Sequence, residues 1–401
     1  MTTLNGLLTI DQLEIENQRV LVRLDLDAKL APPEEGGDLE LRVNRALPTL
    51  RHIVEHGGKV IVLGHRGRPK GRADDDLGLE PLAQRIAESS GWDVLLPDDC
   101  VGEAAQKAVL DLRAGQIVVL ENLRFYPEEE AGDERFAHRL ARFGDLYVND
   151  ALAASNRPHC SVYQLPKLFR QRAIGFAVKE ELTALQRITN PSQPLTALLG
   201  GTRLAERAKL IESLLVRGNQ LCIGGALGST LLAAKGHRIG MTRVDLTELA
   251  RARTLLEQAR DRDVAIHLPS DATVTESDDA SEGRTVAIAD LAEHDRIVDI
   301  GPETQARFRA AIASTDTALW VGAMGTVGQA AFAVGTHFVA TALAESMSYG
   351  VVLGAAAIGA AQQLAPELVA RLGHLSTGAG ASLELLEGKR LPGIEVLRMA
   401  E

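Results

Sequence analysis

Arg42, His65, Arg68, Arg72, Arg124 and Arg157 each come after an apolar, strand-like run in the first half of the chain. Their surroundings place them in turns or loops rather than on a helical face. Gathered in one cleft, such arginines would bind a small phosphate or carboxylate, because the planar guanidinium presents paired donors that match two anionic oxygens. The chain as a whole is acidic, with 54 Asp and Glu against 43 Lys and Arg and a net charge of -11. Surfaces made for nucleic acid or for a membrane carry basic runs, so the local positive charge here argues against both partners and for a small anionic ligand.

The elements that must position these side chains recur along the whole length. RVLVRLDL, KVIVLGH, DVLLP, QIVVLENL and LYVND occupy the first half, and LTALLGG, QLCIGG, VAIHLP, IVDIG, TALWVG, VVLG and HLSTG the second. Continuous apolar runs that end in Gly, Asp or Asn alternate with helical patterns such as RALPTLRHIVEHG, which is the pattern of βαβ units and parallel sheets. At 401 residues the chain exceeds one ordinary core, and its 45 % hydrophobic residues include only 3 % aromatics, as in α/β proteins. The fold class expected is α/β, with two Rossmann-like, doubly wound parallel-sheet lobes. In such sheets ligands sit beyond the carboxyl ends of the strands, where the basic residues fall.

The segment GFAVKEELTALQRITNPSQP reads as one amphipathic helix ended by Asn190-Pro191, a hinge helix and linker over 175–194. It would join a first lobe at 1–174 to a second at 195–387, with 388–401 packing back on the first. Ala31 to Asp38 and Arg72 to Gly78 read as mobile polar loops. The odd and widely spaced Cys100, Cys160 and Cys222 argue against a disulfide framework and for a reducing cytoplasm. No signal-peptide pattern is visible, and the most apolar stretch, Tyr349 to Ala361, is short for a membrane span and broken by glycines. There is no GxxxxGK[ST] loop, and GAMGTVG at Gly322 to Gly328 has glycines at the wrong spacing for a dinucleotide fingerprint.

VLVRLDLDAKL, GHRGRPKG, ENLRFYPEEE, YVNDALAASNRPH, the glycine pairs at Gly200 and Gly224, DIGPET and STGAGASLELLEGKRLPG are collinear over nearly the full length. In that order they resemble phosphoglycerate kinase. The resemblance implies a first lobe holding a phosphorylated acid, a second holding Mg-ATP or Mg-ADP, hinge closure, a monomer, and phosphoryl transfer between ATP and the carboxylate of 3-phosphoglycerate. It places Asp25, Asp27, His65, Arg68, Arg124 and Arg157 at substrate positions and gives Arg42 and Arg207 catalytic ones. Arg42 would stand near the transferring phosphoryl group, and Arg68, Arg124 and Arg157 on the substrate's own phosphate. Gly200, Gly201, Arg203, Gly224, Gly225, Gly325, Gly354, Gly378 and Gly380 fall at nucleotide positions, while Arg72 has no counterpart and reads as a solvated charge.

Departures from the family pattern concentrate in the second lobe. The turn after VVLG reads Gly354-Ala355-Ala356-Ala357-Ile358, with Ala357 where the family has its magnesium-binding Asp, so no protein metal ligand is expected there. Val321 and Ala323 replace an Asn and a Pro, and Gly328 replaces the Glu on the ribose. Arg203 and Arg207 replace two lysines around Glu206, and Ala226 and Ala379 replace glycines. In the first lobe Asp27 replaces an Asn beside the substrate carboxylate, where a second carboxylate repels an acid, so a phosphate-bearing ligand with a hydroxyl or amide donor fits better. Asn156 and Arg66 alter the surroundings further. Phosphoryl transfer rests on positioning and charge neutralisation, so the expected activity is impaired or reassigned. Three readings stay open: a kinase with a rearranged nucleotide site, using Asp271 or Asp299 for magnesium; a non-catalytic paralogue that binds a phosphorylated metabolite; and an ATP-independent enzyme acting on one.

Overall fold

The structure is a computed structural model and describes residues 4–28, 38–201, 203–277 and 279–399. The polar loop expected from Ala31 lies outside the described residues as far as position 37. The chain forms two compact units. One holds the residues up to Thr183 together with Thr377–Leu385 and the segment from Lys389 onward, and the other holds Ala184–Ser376 with Leu386–Gly388.

In the first unit β1 (Arg19–Leu24), β2 (Lys59–Leu63), β3 (Asp93–Leu95), β4 (Gln116–Val119), β5 (Leu146–Asp150) and β6 (Arg172–Ile174) form one sheet in the order β3-β4-β2-β1-β5-β6. All its pairings are parallel. Val20, Val22, Val60, Val62, Ile117 and Val148 are buried on one face, and Leu21, Ile61, Val118 and Tyr147 are buried on the other, which explains why these runs are apolar along their whole length rather than alternating. β1 lies between β2 and β5, so the loops at the carboxyl ends of the central strands leave from one edge of the unit.

One placement differs from the sequence expectation. Arg42 lies on a helix, Asp38–Glu55, not in a loop. Val43, Ala46, Leu50 and Ile53 give that helix a buried stripe at helical spacing, and the stripe draws Arg42 into the regular element. Arg72, by contrast, lies in a loop and is exposed.

In the second unit β7 (Leu195–Leu199), β8 (Gln220–Ile223), β9 (Ala265–His267), β13 (Thr317–Val321), β14 (Tyr349–Leu353) and β15 (Gly373–Leu375) form a parallel sheet in the order β15-β14-β13-β7-β8-β9. The expectation that every strand of this half joins a parallel sheet is not met. β12 (Arg296–Ile300), which contains IVDI, pairs with β10 (Asp271–Thr275) and β10 with β11 (Arg284–Ala287) in a separate antiparallel sheet. Only residues 276–283 link β10 to β11, too few for the crossover a parallel pair requires.

The connector helix runs Phe176–Thr189, within the segment read as helical. Its last residues, from Ala184, belong to the second unit. The C-terminal segment packs on the first unit through Gly393 N to Ser155 O at 2.9 Å, Asn149 Nδ2 to Gly393 O at 3.0 Å and Met399 N to Gly6 O at 2.9 Å. Among the described residues, no helix is long and apolar enough to cross a membrane.

Ala379 opens the Ala379–Leu386 helix with φ +46°, in the left-handed region, and its side chain is exposed. A Cβ there clashes with the backbone and gains no packing, whereas glycine adopts this conformation at little steric penalty. Ala379→Gly is therefore expected to raise stability by about 0.5–1 kcal/mol once the larger unfolded-state entropy of glycine is set against the relief. Urea unfolding measures this, and an unchanged or lower midpoint refutes it.

Candidate functional site

The first unit's basic residues and carboxylates are held by the loops that follow β1, β2, β4 and β5 and, for Arg42, by the Asp38–Glu55 helix. After β1, Asp25 forms an ion pair with Arg42, and both side chains are largely buried. Burial pushes the Asp25 carboxyl up, opposed by Arg42 and Arg23, and its Oδ1 is buried without a hydrogen-bond partner among the described residues. After β2, His65 is buried, and its Nδ1 stands 2.6 Å from Nη2 of Arg23. A guanidinium has only donors, so His65 Nδ1 accepts, and the imidazole proton sits on Nε2. That nitrogen lies 3.6 Å from Oδ2 of Asp27.

Asp27 also accepts from Gly67 N at 2.8 Å through Oδ1. Burial raises its pKa, but the bonds from His65 and Gly67 outweigh burial and leave the group below the ordinary carboxylate range. His65 is pushed down to about 3, chiefly by burial, and so is neutral at physiological pH. After β4, Arg124 donates to Gly67 O at 2.8 Å and pairs with Glu130 at 3.3 Å. Asn122 fastens the loop from beneath, its Nδ2 donating to Arg66 O and Leu77 O at 2.8 Å each, while Arg66 itself reaches Gly78 O at 3.0 Å.

Arg68, next to Gly67, and Arg157, in the loop after β5, are exposed and carry no ion pair to a described residue. Burial first, then Arg124, lowers His159 to about 4, and Arg157 adds to the same effect. Asp25, Asp27, Arg42, His65, Arg124 and Arg157 are thus linked through shared charge partners, and Arg68 follows Gly67, which binds both Asp27 and Arg124. Asn156 does not face it freely, since its Nδ2 donates to Glu384 at 3.1 Å.

The second unit contains a cavity of about 520 Å³ at the carboxyl ends of its parallel strands. Gly201, Arg203, Arg207, Gly225, Gly325 and Gly354 all line it. Gly200 and Gly224 lie buried beneath. A Cβ on Gly200 would stand 1.9 Å from the Ala323 carbonyl oxygen, so only glycine lets the turn after β7 pass the turn after β13. Gly354 has φ +91°, which favours glycine at the entry to the Ala355–Gln362 helix. Ala355 and Ala356 line the cavity, but Ala357 is fully buried in the core behind it. Gly378 and Gly380 are not on this cavity. They belong to the first unit, where Gly378 packs by Leu152 and Glu181, and Gly380 approaches Asn156.

Asp271, Asp299 and Glu206, the acids of the second unit considered for magnesium or the nucleotide turn, each have partners. Asp271 opens β10 rather than lying in a turn, and it caps the Pro302–Ala313 helix. Its Oδ2 accepts from Glu303 N at 2.9 Å, and its Oδ1 from Thr304 N at 2.8 Å and Thr304 Oγ1 at 2.7 Å. Asp299 accepts from Ile300 N at 2.8 Å and Gly335 N at 2.7 Å, and burial, opposed by those amides, pushes it up to about 6. Glu206 pairs with Arg203 at 3.1 Å.

Sequence reasoning missed several residues. Arg23, an arginine inside an otherwise apolar strand, carried a signal in that contrast alone. Arg243 and Arg296 also line the cavity, brought there by the segment between the Gly225–Ala234 and Leu249–Asp261 helices and by β12, and no local motif marks either one.

A family model described as phosphoglycerate kinase matches residues 10–389. Phosphoglycerate kinase of Anaeromyxobacter dehalogenans strain 2CP-C is 40 % identical over 395 residues, covering 97 % of this chain and 99 % of that protein. The structure of phosphoglycerate kinase from Coxiella burnetii superposes with a TM-score of 0.85 at 30 % identity over 98 % of each chain. That from Pyrococcus horikoshii OT3 gives 0.80 at 25 % identity over 97 % of this chain and 98 % of its own. A family match across both units, with a shared fold and collinear motifs, makes this chain a member of the phosphoglycerate kinase family.

Proposed function

We propose that this protein keeps the family's capture of a phosphorylated small molecule in its first unit, on Arg68, Arg124 and Arg157, and has lost the magnesium nucleotide seat in its second. The family reaction, phosphoryl transfer between ATP and the carboxylate of 3-phosphoglycerate, is then impaired or reassigned. In this reading Arg42 and Arg207 keep their places without a metal nucleotide to act on, and the Phe176–Thr189 helix is the hinge. The observation that carries it is the state of the carboxylates. Ala357 offers no ligand atom, Asp271 and Asp299 have both oxygens engaged by backbone amides, and Glu206 is paired with Arg203. Magnesium requires oxygen ligands in near-octahedral array and is usually anchored by one or two carboxylates beside the phosphates, and this donor set does not fit it.

Between a binding protein and an ATP-independent enzyme, the imidazoles favour binding. His65 and His159, held at about 3 and about 4, exchange no proton near neutrality. The reading includes a monomer in a reducing cytoplasm, and the buried, unbridged Cys100, Cys160 and Cys222 support the second point. Titrating Mg-ADP and 3-phosphoglycerate separately into the protein, beside a coupled kinase assay, tests both halves. The expected results are no gain in ADP affinity from magnesium and a transfer rate at background. Magnesium-dependent ADP binding of ordinary kinase strength would overturn the proposal.

A further inference from the structure

The first unit's site has two ends of opposite sign. At one end Arg124 is fixed by Gly67 O at 2.8 Å; Arg68, next in the chain to Gly67, is exposed, as is Arg157, which acts on His159 together with Arg124. At the other, Gly67 N holds Asp27 Oδ1 at 2.8 Å, so a single residue of backbone separates the cationic end from the carboxylate. Among the described residues Oδ2 of Asp27 faces His65 Nε2 at 3.6 Å, and the side chain is 45 % exposed, which leaves acceptor positions open to a ligand. The two struts on Asp27, both donors, keep it an acceptor-only carboxylate. Arg23 fixes the imidazole from behind through Nδ1 at 2.6 Å, so His65 cannot turn a lone pair toward the site to suit a different ligand.

We infer that this site takes a phosphate ester whose far end donates hydrogen bonds, a phosphorylated polyol, and that Asp27 is the specificity-determining residue that turns away phosphorylated carboxylic acids. The inference rests on the reading that the arginines hold a phosphate. A hydroxyl donates to Asp27 Oδ2, whereas a ligand carboxylate meets like charge with no proton to share and leaves the acceptor unpaired.

Calorimetry at pH 7.5 without nucleotide tests it, with inorganic phosphate, glycerol 3-phosphate and 3-phosphoglycerate as probes. Glycerol 3-phosphate is expected to bind about tenfold more tightly than 3-phosphoglycerate to the unaltered protein. In Asp27→Asn, which is isosteric and half-exposed, 3-phosphoglycerate should gain about tenfold and inorganic phosphate, farther from the lost charge, clearly less. Arg68→Ala should weaken both esters alike. Equal or tighter binding of 3-phosphoglycerate to the unaltered protein overturns the inference, as does an ester ratio unmoved by Asp27→Asn. Failure of all three probes to bind overturns the phosphate reading itself and the inference with it.

Discussion

Arg23→Met is expected to destabilise the first unit by about 3–5 kcal/mol, the penalty of stranding a buried charge. Arg23 is 1 % exposed, inside β1. Its Nε donates to Ser161 Oγ at 2.9 Å, and Ser161 in turn binds Glu129 through Oγ at 2.5 Å and N at 2.9 Å. Glu129 is 1 % exposed, and burial raises its pKa against the opposing charge of Arg23. Methionine fills the volume but leaves that carboxylate without its cation. The pH dependence follows from the sign. With Arg23 gone, the folded-state pKa of Glu129 rises further above its unfolded value, so the variant loses stability as pH rises from the unfolded pKa through the folded one. The deficit against the unaltered protein should therefore be larger at pH 8 than at pH 5. Urea unfolding at both pH values measures it, and Arg23→Met/Glu129→Gln should recover part of the loss because the stranded charge is gone. A deficit under about 1 kcal/mol would show that the buried network contributes little.

How legible these features were depended on how local their causes are. The parallel strands stood out because each is a run of β-branched and leucine residues cut off by Gly, Asp or Asn, and both faces of such a strand are covered. β11 failed that test. Its residues are mostly exposed, so Arg284–Ala287 did not stand out as a strand, and β10, the antiparallel partner of both β11 and β12, begins with the polar Asp271 and carries no continuous apolar run. The cap that occupies Asp271 was invisible for a different reason, since Thr304 lies 33 residues away and no local pattern joins them. Asp27 was legible as a charge in an unusual place. That it stays ionised depends on Gly67 and on a tautomer set by Arg23, two contacts that only folding brings together. The cavity arginines divide in the same way, with Arg203 and Arg207 visible in a glycine-led motif and Arg243 and Arg296 placed by the chain's path.

The same buried-charge argument, with the opposite outcome for the variant, applies at the end of β5. Asp150 is 4 % exposed, its Oδ1 accepts from Val178 N at 3.0 Å, and its Oδ2 is buried with no hydrogen-bond partner among the described residues. Gly175 packs so closely that a Cβ there would stand 2.3 Å from the carboxylate carbon, which keeps water out. Burial is the largest influence on Asp150 and raises its pKa from 3.8 to about 7. Thr49 and the amides of Val178 and Ala177 oppose it, and nearby Glu180, itself paired with Arg45, adds to it. The folded state therefore binds the proton more tightly than the unfolded chain. This group's contribution is fully favourable below the unfolded pKa and declines as pH rises to about 7, a change of about 4 kcal/mol over that window. Asp150→Asn keeps an acceptor for Val178 N and removes the charge. It is expected to match the unaltered protein within about 1 kcal/mol near pH 4 and to exceed its stability by about 1–3 kcal/mol at pH 8, less than the full shift because the amide leaves a donor to satisfy. Because the Phe176–Thr189 helix begins on this carboxylate, the gain should also appear as slower amide exchange at Val178. Parallel stability curves for the two proteins between pH 4 and pH 8 would show that Asp150 is ionised throughout and that burial does not govern its titration.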